Sequence, residues 1–171
     1  FPGVRASLSA SAGTYLGPDY RFDMVRPGIS LFGGGPEERP HPDLRAVAIL
    51  EAPILQIRDI RQGQSVGYGS MFTAPRDMRI ALIEAGYADG LIRTSFRTGQ
   101  AALTGRLMRL LIVSMDLIAL DLSDHPDAQV GDLVELLGET ATLDDAAAAA
   151  ETVAHECLVR LSARAERVYR D

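Results

Sequence analysis

Seven short apolar runs, separated mainly by glycine and aspartate, occupy residues 46–137. Short runs rich in Val, Ile and Leu with turn residues between them are typical of β-strands. Their number and spacing predict a mainly β domain, a barrel or sandwich of mixed strands. The predicted strands cover residues 46–60, 64–73, 78–83, 101–103, 107–112, 117–122 and 132–137.

The amino-terminal part of the chain follows another pattern. Residues 1–36 mix glycine, serine and short apolar runs, with a strand predicted over 24–32, and they are typical of an α/β fold. Three prolines within residues 36–42 interrupt helices and strand ladders alike. We therefore expect a linker over residues 37–44 between a domain at 1–36 and a second domain at 45–171.

Short helices are predicted near the carboxy terminus. Thr142 is a candidate N-cap, and Asp144 and Asp145 place acids in the first turn, where they complement the helix dipole. The alanine run 146–150 then favours continuation of the helix. A second helix is predicted over 153–162 from apolar residues at helical spacing. The predicted apolar face consists of Val153, Cys157, Leu158 and Leu161.

Charge and composition exclude several classes of protein. A net charge of −6 disfavours a surface that neutralises nucleic-acid phosphates. The most apolar stretch, 110–122, contains Asp116 and Asp121 and is shorter than the roughly 20 residues that span a bilayer. A single cysteine, Cys157, forms neither an internal disulfide nor a metal cluster. We therefore expect no metal, no nucleic acid and no membrane as partners, and a reducing, cytoplasmic location.

The basic residues are unusual because all seventeen are arginines. Chemistry that requires the ε-amine of lysine therefore has no suitable group in this sequence. The first residues, FPGVR, include no initiator methionine and lack the charged and apolar regions of a signal peptide. We expect the chain to be part of a longer protein.

Four motifs are candidates for function: Arg-Pro-Gly-Ile at 26–29, Val-Gly-Tyr-Gly at 66–69, Gly-Tyr-Ala-Asp-Gly at 86–90 and Ser-Met-Asp at 114–116. Each motif alone has an ordinary structural explanation. Glycine and aspartate supply the dihedral angles of tight turns, and a tyrosine between glycines is often an exposed turn residue. Similarly, Arg26 would by default pair with a nearby carboxylate such as Asp23.

In this order and at these separations, the motifs resemble the alanine racemase family over nearly the whole chain. The family pattern runs from Asn-Ser-Ala through Val-Arg-x-Gly-Ile, Tyr-Gly, Gly-Tyr-Ala-Asp-Gly and Ser-Met-Asp to Tyr-Glu and Arg-x-Tyr. The corresponding residues here are 10–12, 25–29, 68–69, 86–90, 114–116, 155–156 and 167–169.

The resemblance implies a fold and an activity. Residues 1–36 would be the end of the (β/α)8 barrel that binds pyridoxal 5′-phosphate in this fold-type III family, and the rest would be the carboxy-terminal β-domain. The parent enzyme would interconvert L- and D-alanine for cell-wall peptidoglycan, as a head-to-tail homodimer with shared active sites. The lysine that anchors the cofactor is not in this chain, so the isolated chain is expected to be inactive.

The resemblance also implies which residues bind the cofactor. The Ser11 hydroxyl would contact the phosphate, together with the backbone N–H groups of Gly28 and Ile29. Arg26 would face the pyridine nitrogen and donate a hydrogen bond to it, because a guanidinium stays protonated at any working pH. His155 would contact the phosphate from the terminal helix.

Racemisation requires proton removal on one face of Cα and proton delivery on the other. The family uses the anchoring lysine and a tyrosine from the opposite subunit, and Tyr68 lies where that tyrosine belongs. Phenols in water lose their proton only at about pH 10, so such a base needs stabilising neighbours. Met115 would bind the substrate carboxylate through its backbone, with Asp116 ordering the loop, and Tyr87 and Arg93 would line the substrate entrance.

Three positions depart from the family pattern. Ala10 replaces an asparagine, His155 replaces a tyrosine, and 111–112 is Leu-Ile where the family has Gly-Arg. Two alternatives to alanine racemisation therefore stay open. One is a broad-specificity amino-acid racemase, and the other is a non-catalytic β-domain for dimerisation or binding.

Overall fold

The computed structural model describes residues 2–170. Its centre is a closed antiparallel barrel in which the strands follow the order β1, β4, β7, β6, β5, β8. These strands are β1 (Leu50–Ile60), β4 (Met78–Ile83), β5 (Gln100–Leu103), β6 (Arg106–Val113), β7 (Ile118–Asp121) and β8 (Leu133–Leu137). The prediction of a mainly β domain is confirmed, and of the two predicted forms, barrel and sandwich, the structure shows a barrel.

The predicted segment 64–73 is not one strand. It forms a small hairpin of β2 (Ser65–Val66) and β3 (Phe72–Thr73), joined by a 3-10 turn at Tyr68–Ser70. Gly67 and Gly69 have φ of 81° and 62° within this segment. Such positive dihedrals are incompatible with an extended strand, which explains why the segment folds back on itself.

The burial pattern of β6 explains its composition. In its first half only Met108 is buried, but every residue from 110 to 113 is buried. The register of this strand shifts between Leu110 and Ile112, so Leu110 and Val113 both pack in the barrel interior. The other face is covered by the β2–β3 hairpin, because Leu111 and Ile112 pack with Phe72 in a second cluster. A strand covered on both faces is apolar throughout rather than alternating.

The described part of the amino-terminal segment, residues 2–36, contains no β-strand. It has one short helix, α1 (Ser11–Tyr15), and 3-10 turns at Pro18–Tyr20 and Ile29–Phe32. The strand predicted over 24–32 is therefore wrong. Two hydrogen bonds, from Asp23 N to Ala6 O and from Arg26 N to Ser9 O, still align two pieces of chain in the same direction. Both donors are three residues apart, as are both acceptors, whereas a parallel β-ladder advances two residues at a time, so these two bonds do not form one.

Two helices follow the barrel, α2 (Leu143–Ala149) and α3 (Ala154–Arg160). The predicted cap is confirmed, because Thr142 Oγ1 accepts a hydrogen bond from Asp145 N at 3.2 Å. Both helices pack with Ile29 and Leu137 in a third apolar cluster. Within residues 2–170, no helix is long and apolar enough to cross a membrane.

A buried carboxylate joins the amino-terminal segment to α2. Asp144 is 3% exposed, and its Oδ2 accepts a hydrogen bond from Gly35 N at 2.8 Å. Burial raises the pKa of the Asp144 carboxyl, against the opposing effect of the Gly35 hydrogen bond. The joint between the two regions thus contains a group whose charged form is disfavoured.

Candidate active site

Three of the candidate cofactor residues meet at the Ser11 hydroxyl. Ser11 begins α1 and is 6% exposed. Its Oγ accepts hydrogen bonds from the backbone N–H of Gly28 at 2.9 Å and of Ser30 at 3.2 Å. Ile29 lies between those donors and is buried in the third cluster. The structure therefore places Ser11, Gly28 and Ile29 together although they are distant in sequence.

The residues around Ser11 fit a phosphate group. The buried Oγ of Ser30 has no hydrogen-bond partner within residues 2–170, so a donor is left unused at this position. A Cβ built on Gly28 would meet no atom within 4 Å, so the space beside this backbone is open. The N–H groups of Gly28 and Ser30 already donate to Ser11 Oγ, so the hydroxyl hydrogens of Ser11 and Ser30 are the donors beside this open space, and phosphate oxygens accept such donors. Sequence reasoning missed Ser30, whose only signal was its position two residues after Gly28.

Arg26 is held along the segment formed by residues 7–9. Its guanidinium donates to Ser7 Oγ and, at 3.5 Å, to Leu8 O. Asp23, the default partner, instead accepts a hydrogen bond from Ala6 N at 2.8 Å. The side chain of Arg26 is therefore oriented by neutral groups and keeps its full positive charge available.

His155 lies in the first turn of α3 and is exposed. The neighbouring Ala154 is buried, and its Cβ would be 3.4 Å from a Cβ built on Gly34. This packing brings the start of α3 against the segment that carries Ile29. No hydrogen bond joins His155 to Ser11 in the described part of the chain. On the packed side of the same helix, burial raises the pKa of the Cys157 thiol.

Tyr68 projects from the barrel on the β2–β3 turn. Its side chain is 87% exposed, which leaves the phenol accessible to another molecule. The turn packs closely against strand β6, because a Cβ built on Gly67 would lie only 2.6 Å from Ile112 Cδ1. The Leu-Ile pair at 111–112, a departure from the family pattern, is thus the apolar base on which the hairpin rests.

The candidate substrate residues Tyr87 and Met115 lie on two loops in direct contact. Tyr87 N donates to Ser114 O at 2.9 Å, and Ala88 N donates to Met115 O at 3.0 Å. A Cβ on Gly86 would overlap the carbonyl oxygens of Ser114 and Met115, so only glycine permits this approach. Both side chains, Tyr87 and Met115, remain exposed at this surface.

Arg93 and Asp116 complete the candidate set. Arg93 Nη2 donates to Met71 Sδ at 3.6 Å, and Met71 follows the turn of Tyr68 directly. Arg93 is therefore next to the Tyr68 turn. Asp116 is exposed at the end of the Ser-Met-Asp loop. Within the described residues, no group of three or more His, Cys, Asp or Glu side chains is arranged to hold a metal ion.

Two family models match this chain. The model described as "Alanine racemase, C-terminal domain" matches residues 47–169. The chain belongs to the alanine racemase family. A second model, "Alanine racemase, N-terminal domain", matches residues 1–36. The resemblance inferred from the motifs is thereby confirmed.

Curated members of the family are similar along the whole chain. The alanine racemase of Rhodospirillum rubrum is 44% identical over 172 residues, which cover 99% of this chain and 46% of that protein. The biosynthetic alanine racemase of Agrobacterium fabrum is 40% identical over 189 residues, which cover 99% of this chain and 47% of that protein. The chain spans about half the length of the curated relatives that it matches.

Solved structures of the family share the fold. The alanine racemase of Acinetobacter baumannii matches with a TM-score of 0.89 and 38% identity, over 95% of this chain and 47% of that one. The enzyme of Bartonella henselae, solved with covalently bound pyridoxal phosphate, matches with a TM-score of 0.88 and 38% identity, over 99% of this chain and 48% of that one. Membership of this family implies pyridoxal phosphate as the cofactor.

Proposed function

We propose that this chain supplies one half of the active site of an alanine racemase that interconverts L- and D-alanine. The observation that carries the proposal is the exposure of Tyr68 on a turn that packs against Ile112. A buried phenol would contact only residues of its own barrel, whereas an exposed phenol on a fixed turn is accessible to a neighbouring molecule. Family membership supplies the reaction to which such a phenol belongs.

Tyr68 acts in this proposal as the proton-transfer group on one face of the substrate. Its Oη removes a proton from Cα, or returns one to Cα, depending on the direction of reaction. The second group, on the opposite face, is a lysine that this chain does not contain. Arg93 lies against the Tyr68 turn and adds positive charge on the side where the phenol must ionise.

The residues around Ser11 hold the cofactor phosphate. Pyridoxal phosphate, when bound, withdraws electrons from the substrate and so acidifies its Cα–H bond. Ser11, through its hydroxyl hydrogen, and Ile29, through its backbone N–H, would bind phosphate oxygens, and His155 would contact the same group from α3. The N–H of Gly28 already donates to Ser11 Oγ, so Gly28 would act by orienting that hydroxyl. Arg26 donates a hydrogen bond to the pyridine nitrogen, because a guanidinium does not give up its protons.

Met115 binds the substrate carboxylate through its backbone N–H. Its carbonyl oxygen already accepts a hydrogen bond from Ala88 N, and a carboxylate requires a donor. Asp116 orders the loop that presents this N–H. Tyr87 and Arg93 line the entrance through which alanine arrives.

The partner in this proposal is a second copy of the same protein. An exposed Tyr68 transfers a proton only if another molecule brings its cofactor-bound substrate to the phenol, so the active sites are shared in a homodimer. We further propose a cytoplasmic enzyme that supplies D-alanine for peptidoglycan. The boundaries 1–36, 37–44 and 45–171 remain our proposed division between the cofactor domain, the linker and the β-domain.

The test replaces Tyr68 by phenylalanine in the complete protein with pyridoxal phosphate. Loss of a general acid–base group lowers kcat by about 10²- to 10⁴-fold in both directions. In a two-base reaction, the variant still exchanges the Cα hydrogen of one alanine enantiomer with deuterated solvent, and this exchange is lost for the other. Tyr20→Phe, a change of the same kind at another exposed tyrosine, is the control and keeps wild-type rates.

Unchanged racemisation by Tyr68→Phe would refute the role of the phenol and favour the non-catalytic β-domain. Comparing kcat/KM for alanine, serine and lysine with the unaltered protein distinguishes an alanine racemase from a broad-specificity enzyme. The 171-residue chain alone should not racemise alanine, because it has no lysine to act on the second face of the substrate.

A further inference from the structure

The chain that follows α3 lies directly on the loop that carries Tyr87. Ser162 N donates to Asp89 O at 3.1 Å. Gly90 has φ of 111°, and a Cβ at this position would overlap the carbonyl oxygen of Arg160. Backbone thus meets backbone without an intervening side chain. Because the opposite side of the Tyr87 loop contacts residues 114–116, three segments are stacked at this surface.

Arg164 connects the three segments. Its Nη1 lies 2.7 Å from Asp116 Oδ1, and its Nε lies 3.4 Å from Asp89 Oδ1. The second oxygen of Asp89 accepts a hydrogen bond from Gly86 N at 2.8 Å. Among the ion pairs of residues 2–170, Arg164 alone bridges carboxylates from two different loops.

We propose that Arg164 is a positioning residue for the racemase reaction, which fixes the Tyr87 loop relative to the Met115 backbone. This inference rests on the proposed function, because it assigns those loops to substrate binding. The side chain of Arg164 is 53% exposed, and exposed ion pairs contribute little to stability. Its effect is therefore on geometry. Without the guanidinium, the carboxylates of Asp89 and Asp116 have no shared counter-charge, and their repulsion separates the loops.

The kinetic test compares Arg164→Gln with Arg164→Lys in the complete protein. Misplacement of substrate-binding groups by about 1 Å costs up to about 10²-fold, so Arg164→Gln is expected to lower kcat/KM for alanine by about 10- to 100-fold. Lysine keeps the charge but lacks the planar fork, and its loss is smaller. Arg160→Gln removes a nearby exposed arginine that pairs with Glu156 instead, and it retains wild-type kinetics.

A double-mutant cycle identifies the partner through which Arg164 acts. In the Asp116→Asn background, Arg164→Gln is expected to cost clearly less than in the wild type, because one of the two carboxylates is already neutral. Thermal stability stays the same in all of these variants. Equal losses in both backgrounds would overturn the proposal, and so would wild-type kcat/KM in Arg164→Gln.

A second measurement does not depend on activity. In the 171-residue chain, Arg164→Gln is expected to accelerate hydrogen exchange at the amides of Tyr87 and Ala88 while Leu120 in the barrel is unaffected. If the complete protein fails to racemise alanine, the proposed function falls, but this exchange still decides whether Arg164 holds the loops. Unchanged exchange at Tyr87 and Ala88 would overturn the inference.

Discussion

The barrel and the amino-terminal segment of this chain differ in the exposure of their apolar side chains. In the barrel, Ile83, Ile118 and Leu120 are 0% exposed. In the segment 2–36, Leu16 and Leu31 are 64% and 63% exposed. The barrel therefore buries its own core, whereas the segment presents apolar side chains that another surface would cover.

This difference corresponds to two halves of the candidate site. The substrate side, with Tyr68, Tyr87 and Met115, is built on the self-sufficient barrel and is fixed by close backbone contacts. The cofactor side, around Ser11, belongs to the segment whose apolar surface is open. Four pairs of substitutions in the 171-residue chain would sharpen the contrast or break it.

The largest effect is expected from a leucine in the barrel core. Leu120→Ala removes a fully buried side chain and should lower the free energy of unfolding by about 2 to 5 kcal/mol. The matched change in the segment, Leu16→Ala, should stay within about 0.5 kcal/mol, because that side chain is exposed. Urea denaturation followed by circular dichroism measures both. Similar losses at the two positions would contradict the contrast.

Next in size is a pair of glycines. Gly86→Ala forces a methyl group into the carbonyl oxygens of the neighbouring loop and should cost roughly 1 to 3 kcal/mol. Gly28→Ala places the same methyl group in open space, so its cost should be much smaller. Thermal unfolding of the two variants compares them directly. A larger cost at Gly28 would show that the segment is packed more tightly than its exposure indicates.

The hydroxyl of Ser11 should have a smaller effect. Ser11→Ala removes the acceptor of two backbone N–H groups, but Gly28 is exposed, so water replaces one of the lost bonds. The expected cost is therefore that of about one hydrogen bond, about 0.5 to 1.5 kcal/mol. Thr14→Ala is the control, because its exposed hydroxyl donates only to Ala10 O within α1. Hydrogen exchange at Gly28 and Ser30 should increase in Ser11→Ala and not in Thr14→Ala. Unchanged exchange would mean that Ser11 does not hold this segment.

The smallest effect concerns the joint at Asp144 and depends on pH. Burial raises its pKa above the ordinary value of an aspartate, so the folded chain binds this proton more tightly than the unfolded chain does. Stability from this group is therefore present at low pH and is lost as pH rises through the folded-state pKa. Asp144→Asn should remove that decline, whereas Asp127→Asn, at an exposed position, should retain it. Unfolding measured across acidic pH provides the comparison.

The sequence predicted the parts of the fold that follow from local patterning. The strand at 78–83 and the cap at Thr142 were correct, because a short apolar run and a capping residue are local signals. The strand predicted over 24–32 was wrong, because apolar content alone does not distinguish a strand from a buried turn such as Ile29–Phe32. The conformation of residues 24–32 also depends on contacts with residues that lie far away in sequence.

The candidate site was predictable only where a motif carried it. The motifs identified Tyr68 and Ser11, but the contacts that hold them come from residues outside any motif. Ile112 beneath Gly67 and the bridge made by Arg164 are examples. Such contacts join segments tens of residues apart, and their partners are chosen by the tertiary fold.

Closure of the barrel has a consequence for self-association. Each barrel strand is hydrogen-bonded on both sides, so the barrel offers no free strand edge on which another chain could add a strand. Outside the barrel, the described strands β2 and β3 are only two residues long, too short to template a growing sheet. Any association between copies of this chain would therefore depend on side chains and loops rather than on strand addition, which disfavours fibrils.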